Sequence, residues 1–200
     1  AKGLPVAIGP TGIGMRLNPY GEAPVENDPE SREGMAAHDP RQRGLFAAAW
    51  AVGYLARIAP YGTDRFAFGA PTGPFGLIST RQDYARPFWD EQTEGVLYPV
   101  FHVARWISQA GGCAVESTGT DNDTAHVIWR TETGRCALIA NLSAKQKPMP
   151  DIAINASGHV RLDAETLPSL MHEKAPFLSA GNADTLDAYA VIYCEEGPST

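Results

Sequence analysis

Leu4-Pro5-Val6-Ala7-Ile8-Gly9 is a short apolar run that stops at a glycine, and Phe66-Ala67-Phe68-Gly69-Ala70 is a second one. The first reads as a buried strand and the second as another short strand. Between them lies the clearest helical stretch of the chain. Asp39 can accept from free backbone N–H groups, Pro40 suits the first helical position, and Gln42 can reach back to the cap. Leu45, Ala49, Val52 and Ala56 mark one stripe, with Phe46, Trp50 and Gly53 beside it, a broad apolar face of the kind that covers a sheet. Gly53 lets a neighbour approach closely at about 1 kcal/mol of helix propensity. Pro60 and Gly62 end the element. A second helix is expected from Pro99, with Val100, Val103, Ala104 and Ile107 on its apolar side and Gly111 and Gly112 closing it. Strand–helix–strand–helix argues for adjacent parallel strands joined by a right-handed crossover.

After Gly112 the period changes from that of a helix to that of a strand. Residues 113–117, 125–131, 135–141, 152–155, 159–162 and 186–195 are candidate strands. Val127, Trp129 and Thr131 alternate with Ile128 and Arg130, and Glu132-Thr133-Gly134 supplies a hairpin turn, so this part is antiparallel. Its size, roughly 85 residues, suits a β-sandwich or half-barrel. The seam is placed at the paired glycines, giving an α/β part over 1–111 and an antiparallel β-sandwich domain over 112–200. Two strand–helix units of about 110 residues make a sheet too narrow to bury two apolar helices, and leave strand edges open. The first part therefore reads as the last two strand–helix units of a (β/α)8 barrel. A missing N-terminal segment or a second chain would complete it; the plainer alternative is a small three-layer domain completed by dimerisation. The fold class is thus α/β followed by all-β.

Composition narrows the function classes. At 200 residues the chain is too short for a complete eight-stranded barrel, which typically needs about 250. Hydrophobic residues make up 44% and charged residues 20%, ordinary for a globular protein and incompatible with wholesale disorder. With 16 basic against 23 acidic side chains the net charge is -7, which disfavours an electrostatic grip on nucleic acid or anionic lipid. Neither is expected as a partner. Cys113, Cys136 and Cys194 form no CxxC pair and read as packing residues. Sequons begin at Asn122, Asn141 and Asn155 and would matter only in a secreted protein. No apolar stretch approaches the roughly 18 residues of a membrane span, and no signal-peptide pattern opens the chain. The cytoplasm is the expected compartment. The chain starts at Ala1 rather than Met, as a processed fragment would.

In a parallel sheet the segments that follow the strands form the ligand-binding face. That puts residues 11–39 and 71–95 on one rim. Gly14-Met15-Arg16-Leu17-Asn18-Pro19-Tyr20-Gly21 gathers a cation, an amide and a phenol between glycines. Arg16 suits a carboxylate or a developing oxyanion, and Asn18 and Tyr20 suit hydroxyls. The plainer uses are a salt bridge for Arg16, a turn at Asn18-Pro19 and packing for Tyr20. His38 is the acid/base candidate: imidazole titrates near neutrality, and the positive end of the following helix favours its neutral form. Asp39 reads as the cap rather than a catalyst. Glu22, Glu26, Glu30 and Glu33 read as a solvated face. Thr72, in Pro71-Thr72-Gly73-Pro74-Phe75-Gly76, could contact a ligand or cap a turn. Phe75, Tyr84, Phe88 and Trp89 could floor a sugar site, although burying a long loop is their commoner use. GxGxxG, GxxxxGK[ST] and G-x-S-x-G are all missing, and His102, His126, His159 and His172 have no metal spacing. His102 reads as a packing histidine. No cofactor and no metal is expected.

Ile8-Gly9-Pro10-Thr11-Gly12-Ile13-Gly14-Met15-Arg16-Leu17-Asn18-Pro19-Tyr20-Gly21, then His38-Asp39-Pro40-Arg41-Gln42-Arg43-Gly44-Leu45-Phe46, then Phe68-Gly69-Ala70-Pro71-Thr72-Gly73-Pro74-Phe75-Gly76, together resemble the carboxy-terminal part of the D-apionate lactonase family. The resemblance covers nearly the whole chain and is strongest over 4–110. It implies a glycoside-hydrolase-like barrel with an appended β-domain, in much longer proteins associated with breakdown of the branched sugar apiose. On this resemblance the first strand is the seventh of the barrel, and the strand at 66–70 is the eighth. Related retaining sugar hydrolases close the seventh strand with a glutamate nucleophile, whereas Ile8 is followed by Gly9-Pro10-Thr11. That departure argues against glycoside hydrolysis and fits reaction at a carbonyl better. The expected reaction is opening of a sugar-acid lactone by water, with His38 or an acidic partner as base, Arg16 facing the oxyanion, and Asn18, Tyr20 and Thr72 holding substrate. A small sugar lactone or carbohydrate is the expected ligand. The alternatives are a retaining glycoside hydrolase with carboxylates from upstream or from the Glu22–Glu33 loop, and a non-catalytic carbohydrate-binding module centred on 112–197.

Overall fold

A computed structural model of the chain describes residues 4–13, 39–73, 75–81, 94–121, 123–152, 154–180 and 183–197. Its first layer is the pair β1 (Val6–Thr11) and β2 (Thr63–Phe68). The two strands run parallel, with Ile8 opposite Phe66 and Thr11 opposite Phe68. The Asp64 carboxylate takes the Val6 N–H at 2.7 Å and ties the start of the pair. Most residues of both strands remain partly or fully exposed, Val6 at 48%. For parallel strands, normally covered on both faces, that is unusual.

Helix α1 (Leu45–Ile58) starts later than the sequence suggests. Asp39 does cap, but it caps a separate 3-10 turn over Pro40–Arg43, and Gly44, in extended conformation, then opens α1. The expected reach of Gln42 back to the cap does not form; its side chain turns to Ile13 instead. A buried alanine-rich face (Ala47, Ala48, Ala51) with Val52 lets α1 lie close to its neighbours. The neighbour admitted by Gly53 is Leu142: a Cβ there would stand 3.0 Å from Leu142 Cδ2. Gly62, at φ 74, ends the following turn.

Helix α2 (Pro99–Gln109) begins at the expected proline and packs against α1. Trp106 is 1% exposed and stacks on Tyr193, centroids 5.0 Å apart and planes 4° off parallel. His102 is indeed a packing residue, fully buried with Nε2 2.9 Å from the Leu170 carbonyl oxygen.

The all-β part follows as β3 (Ala114–Thr120), β4 (Thr124–Arg130), β5 (Arg135–Asn141), β6 (Lys147–Pro148), β7 (Ala156–Leu162), the one-turn α3 (Leu167–Leu170), β8 (Thr185–Leu186) and β9 (Val191–Glu196). Five strands form an antiparallel sheet in the order β3-β4-β5-β9-β7, and β6 pairs with β8. The α/β region is therefore followed by an antiparallel sheet domain, as read from the change of period. The turn at Glu132-Thr133-Gly134 closes the β4–β5 hairpin, with Thr131 N–H donating to the Gly134 carbonyl at 2.8 Å. Period-2 alternation sorts the sheet into two faces. Val127, Trp129, Leu138 and Tyr193 share one core with α1 and α2, while Ile128, Ile139, Ile192 and Cys194 form a second core on the other face.

Two strand expectations fail. Residues 152–155 form no strand among the described positions; Ile152 and Ile154 pack instead on the second core. The run at 186–195 is broken by a turn, where Tyr189 takes φ 55 and Ala190 N–H donates to the Asp187 carbonyl at 3.0 Å. The side chain of Tyr189 then meets Phe46 of α1 edge-on, centroids 5.3 Å apart. A tertiary contact prevails there over strand propensity.

Candidate active site at the carboxyl ends of the parallel strands

Because β1 and β2 are parallel, their following segments leave from the same end. Gly69 N–H donates to the Thr11 carbonyl at 2.8 Å and extends the pairing by one residue. Gly12 sits between the two exits: a Cβ there would lie 3.2 Å from Phe75 Cδ1 and 3.4 Å from Gln42 Oε1. Gln42, 2% exposed, accepts the Ile13 N–H at 3.0 Å. Its own N–H donates to the Asp39 carbonyl at 3.1 Å. Gln42 thus ties together, through its side chain and its backbone N–H, the described residues that flank 14–38.

Asp39 is 3% exposed and fully engaged. Its carboxylate accepts the Arg41 N–H at 2.9 Å and the Arg41 guanidinium Nε at 2.9 Å. The guanidinium carbon lies 5.0 Å from the Phe46 ring centroid. Asp39 is a cap, as the sequence suggests. Bonding to Asp39 raises the already high pKa of Arg41 further, so its charge is permanent.

The segment after β2 is a tight loop. Ala70 N–H donates to the Phe75 carbonyl at 2.8 Å, Gly76 N–H to Gly73 at 2.8 Å, and Leu77 N–H to Ala70 at 2.9 Å. Gly69 is required by this closure: it takes φ 53, and a Cβ on it would come within 2.4 Å of the Phe75 carbonyl oxygen. Thr72 stands exposed at the tip of the loop. Its hydroxyl makes no hydrogen bond among the described residues, so it does not cap the turn.

Arg16, Asn18, Tyr20 and His38 lie outside the described residues, as do Glu22, Glu26, Glu30, Glu33, Tyr84, Phe88 and Trp89. Of the expected site residues, Thr72 is therefore the one given a place. The bridge that Gln42 makes between Ile13 and Asp39 is not foreseen from the sequence. Its sequence signal, a polar residue inside an apolar-flanked turn, was absorbed by the local capping reading. Among the described residues no three His, Cys, Asp or Glu side chains gather closely enough to hold a metal.

Residues 1–112 match the family described as D-apionate lactonase, TIM barrel domain. A stretch of 75 residues is 45% identical to D-apionate lactonase from Brucella anthropi, covering 38% of this chain and 12% of that protein. Among solved structures, a GH30 endoxylanase from Clostridium papyrosolvens C71 superposes with a TM-score of 0.47 at 12% identity, over 76% of this chain and 38% of that one. A likeness at that score carries no argument. The family match takes in more than half of the chain and includes both parallel strands, both helices and the loops between them, so this chain belongs to the D-apionate lactonase family.

Proposed function

We propose that the full-length protein opens a sugar-acid lactone by hydrolysis, with residues 1–111 as the carboxy-terminal part of its barrel and 112–200 as its β-sandwich domain. The observation that carries this reading is membership of the lactonase family through the segment that builds the paired strand ends. Support comes from the parallel pairing, which sends the segments after Thr11 and Phe68 out of one end of the sheet. It comes also from Gly9-Pro10-Thr11, which puts no carboxylate where a retaining glycosidase would carry its nucleophile.

In this reading His38 removes a proton from water as the oxygen attacks the lactone carbonyl. The carbonyl oxygen gains charge facing Arg16. The tetrahedral intermediate then expels the ring oxygen, which takes the proton back from His38, leaving a hydroxy acid. Asn18, Tyr20 and Thr72 hold the hydroxyls of the substrate. Lactone opening by the full-length protein, followed by alkali uptake, tests the reading. His38→Ala is expected to slow it by about 10²–10⁴-fold and Arg16→Ala by about 10²–10³-fold. An unchanged rate in either variant removes the role assigned to that residue. Failure of the wild-type protein to open any sugar lactone removes the function.

A further inference from the structure

The sheet face turned away from the helices carries two hollows, one on either side of the stretch from Met149 to Ile152. The first, about 350 Å³, runs over Ile139, Ile192 and Cys194 beside His159 and Asp184. The second, about 440 Å³, lies over Ile128 between Ser117, His126 and Asp151. Asp151 and Ile152 line both. Volumes of this order fall within the usual range of small-ligand clefts.

The polar groups around the second hollow divide into two sets. Glu116 is paired with Arg130, and Arg135 forks onto Glu196, its Nε 2.7 Å from Oε2. These four side chains neutralise one another across strands β3, β4, β5 and β9. Ser117, His126 and Asp151 form the other set, and their side chains have no hydrogen-bond partner among the described residues. The imidazole is held in place by shape. Gly119 is its cross-strand partner, and a Cβ there would lie 2.3 Å from His126 Cε1, so the ring occupies the room the glycine leaves. Burial pushes the His126 pKa down. At neutral pH the ring is uncharged, with one nitrogen donating and the other accepting.

We propose that this groove binds a neutral sugar, a monosaccharide or the end of a short oligosaccharide. A carboxylate accepts from sugar hydroxyls, while a neutral imidazole and a serine hydroxyl both donate and accept. Ile128 and Ile152 offer an apolar floor to the C–H face of the ring. With the two ion pairs cancelling, Asp151 leaves one uncompensated negative charge, which disfavours sugar acids. A metal does not fit, because the described residues offer no group of three ligands.

The test is an NMR titration of the full-length protein with D-xylose, D-glucose and D-glucuronate, following the His126 imidazole and the Ser117 amide. Both neutral sugars are expected to shift these signals with millimolar affinity. Asp151→Ala, an exposed site where folding is not at stake, is expected to weaken binding about tenfold or more. Silence of both signals up to about 100 mM sugar overturns the proposal. So does an Asp151→Ala protein that binds as well as wild type, or glucuronate binding as tightly as glucose. The rate of lactone opening, measured on the same proteins, is expected to be untouched by Asp151→Ala; a parallel loss would overturn a purely binding role. The two readings therefore fail separately.

Discussion

Replacing Gln42 by methionine keeps side-chain length and removes the acceptor that Ile13 N–H uses at 3.0 Å. Gln42 is 2% exposed and Ile13 7%, so water cannot simply take over. Leaving a buried donor without a partner costs about 1–3 kcal/mol. The loss is expected in equilibrium urea unfolding as a lower midpoint at unchanged slope, since the surface exposed on unfolding hardly changes. A local readout accompanies the global one. If the Gln42 bond holds the exit of β1, amide exchange at Ile13 should accelerate by about 5- to 150-fold, the same free energy expressed as an opening equilibrium. Exchange at Thr11, covered by the β1–β2 ladder, should move less. A Gln42→Met protein with the wild-type midpoint and wild-type exchange at Ile13 would refute the claim that this buried side chain holds the exit of β1.

Two further outcomes follow from individual residues. Gly69→Ala forces a side chain into the left-handed region and onto the Phe75 carbonyl oxygen, and should cost more than the roughly 1–2 kcal/mol of conformational strain alone. Gly73→Ala, at φ 87 with open space around it, should cost only that strain, so equal thermal shifts in the two variants would rule out the close approach. The Arg135 guanidinium, with the Asn155 N–H, holds Glu196 at about 2. The folded carboxyl is harder to protonate than the unfolded one. Its contribution is therefore whole above the ordinary carboxylate range and is lost as pH falls from about 5 toward about 2. Glu196→Gln should flatten the acid limb of the melting-temperature profile, and an unaltered limb would show that the Arg135 pair contributes nothing to acid stability.

Much of the architecture was legible because its signals are local. Apolar period and the prolines and glycines at 60, 62 and 99 bounded the end of α1 and the start of α2, whereas Pro40 opened a separate turn and α1 began at Leu45. Strand–helix–strand repetition predicted parallel pairing, and β1 and β2 are parallel. Alternation around Val127, Ile128 and Trp129, with the turn at 132–134, predicted antiparallel pairing, and β4 and β5 are antiparallel. The local rules misled where a distant segment competed. Gln42 reads as half of a capping box, yet Ile13 claims it. Residues 186–195 read as one strand, yet the contact of Tyr189 with Phe46 accompanies a sharp turn.

Type and order of elements thus came from composition and spacing, since backbone geometry responds to near neighbours along the chain. Partnership did not. That α1 lies on the antiparallel sheet, that Leu142 fills the notch at Gly53, and that Ser117, His126 and Asp151 converge on one hollow depend on segments brought together only by folding. A side chain's period records which way it faces, and the chain that meets it there is chosen by three-dimensional packing.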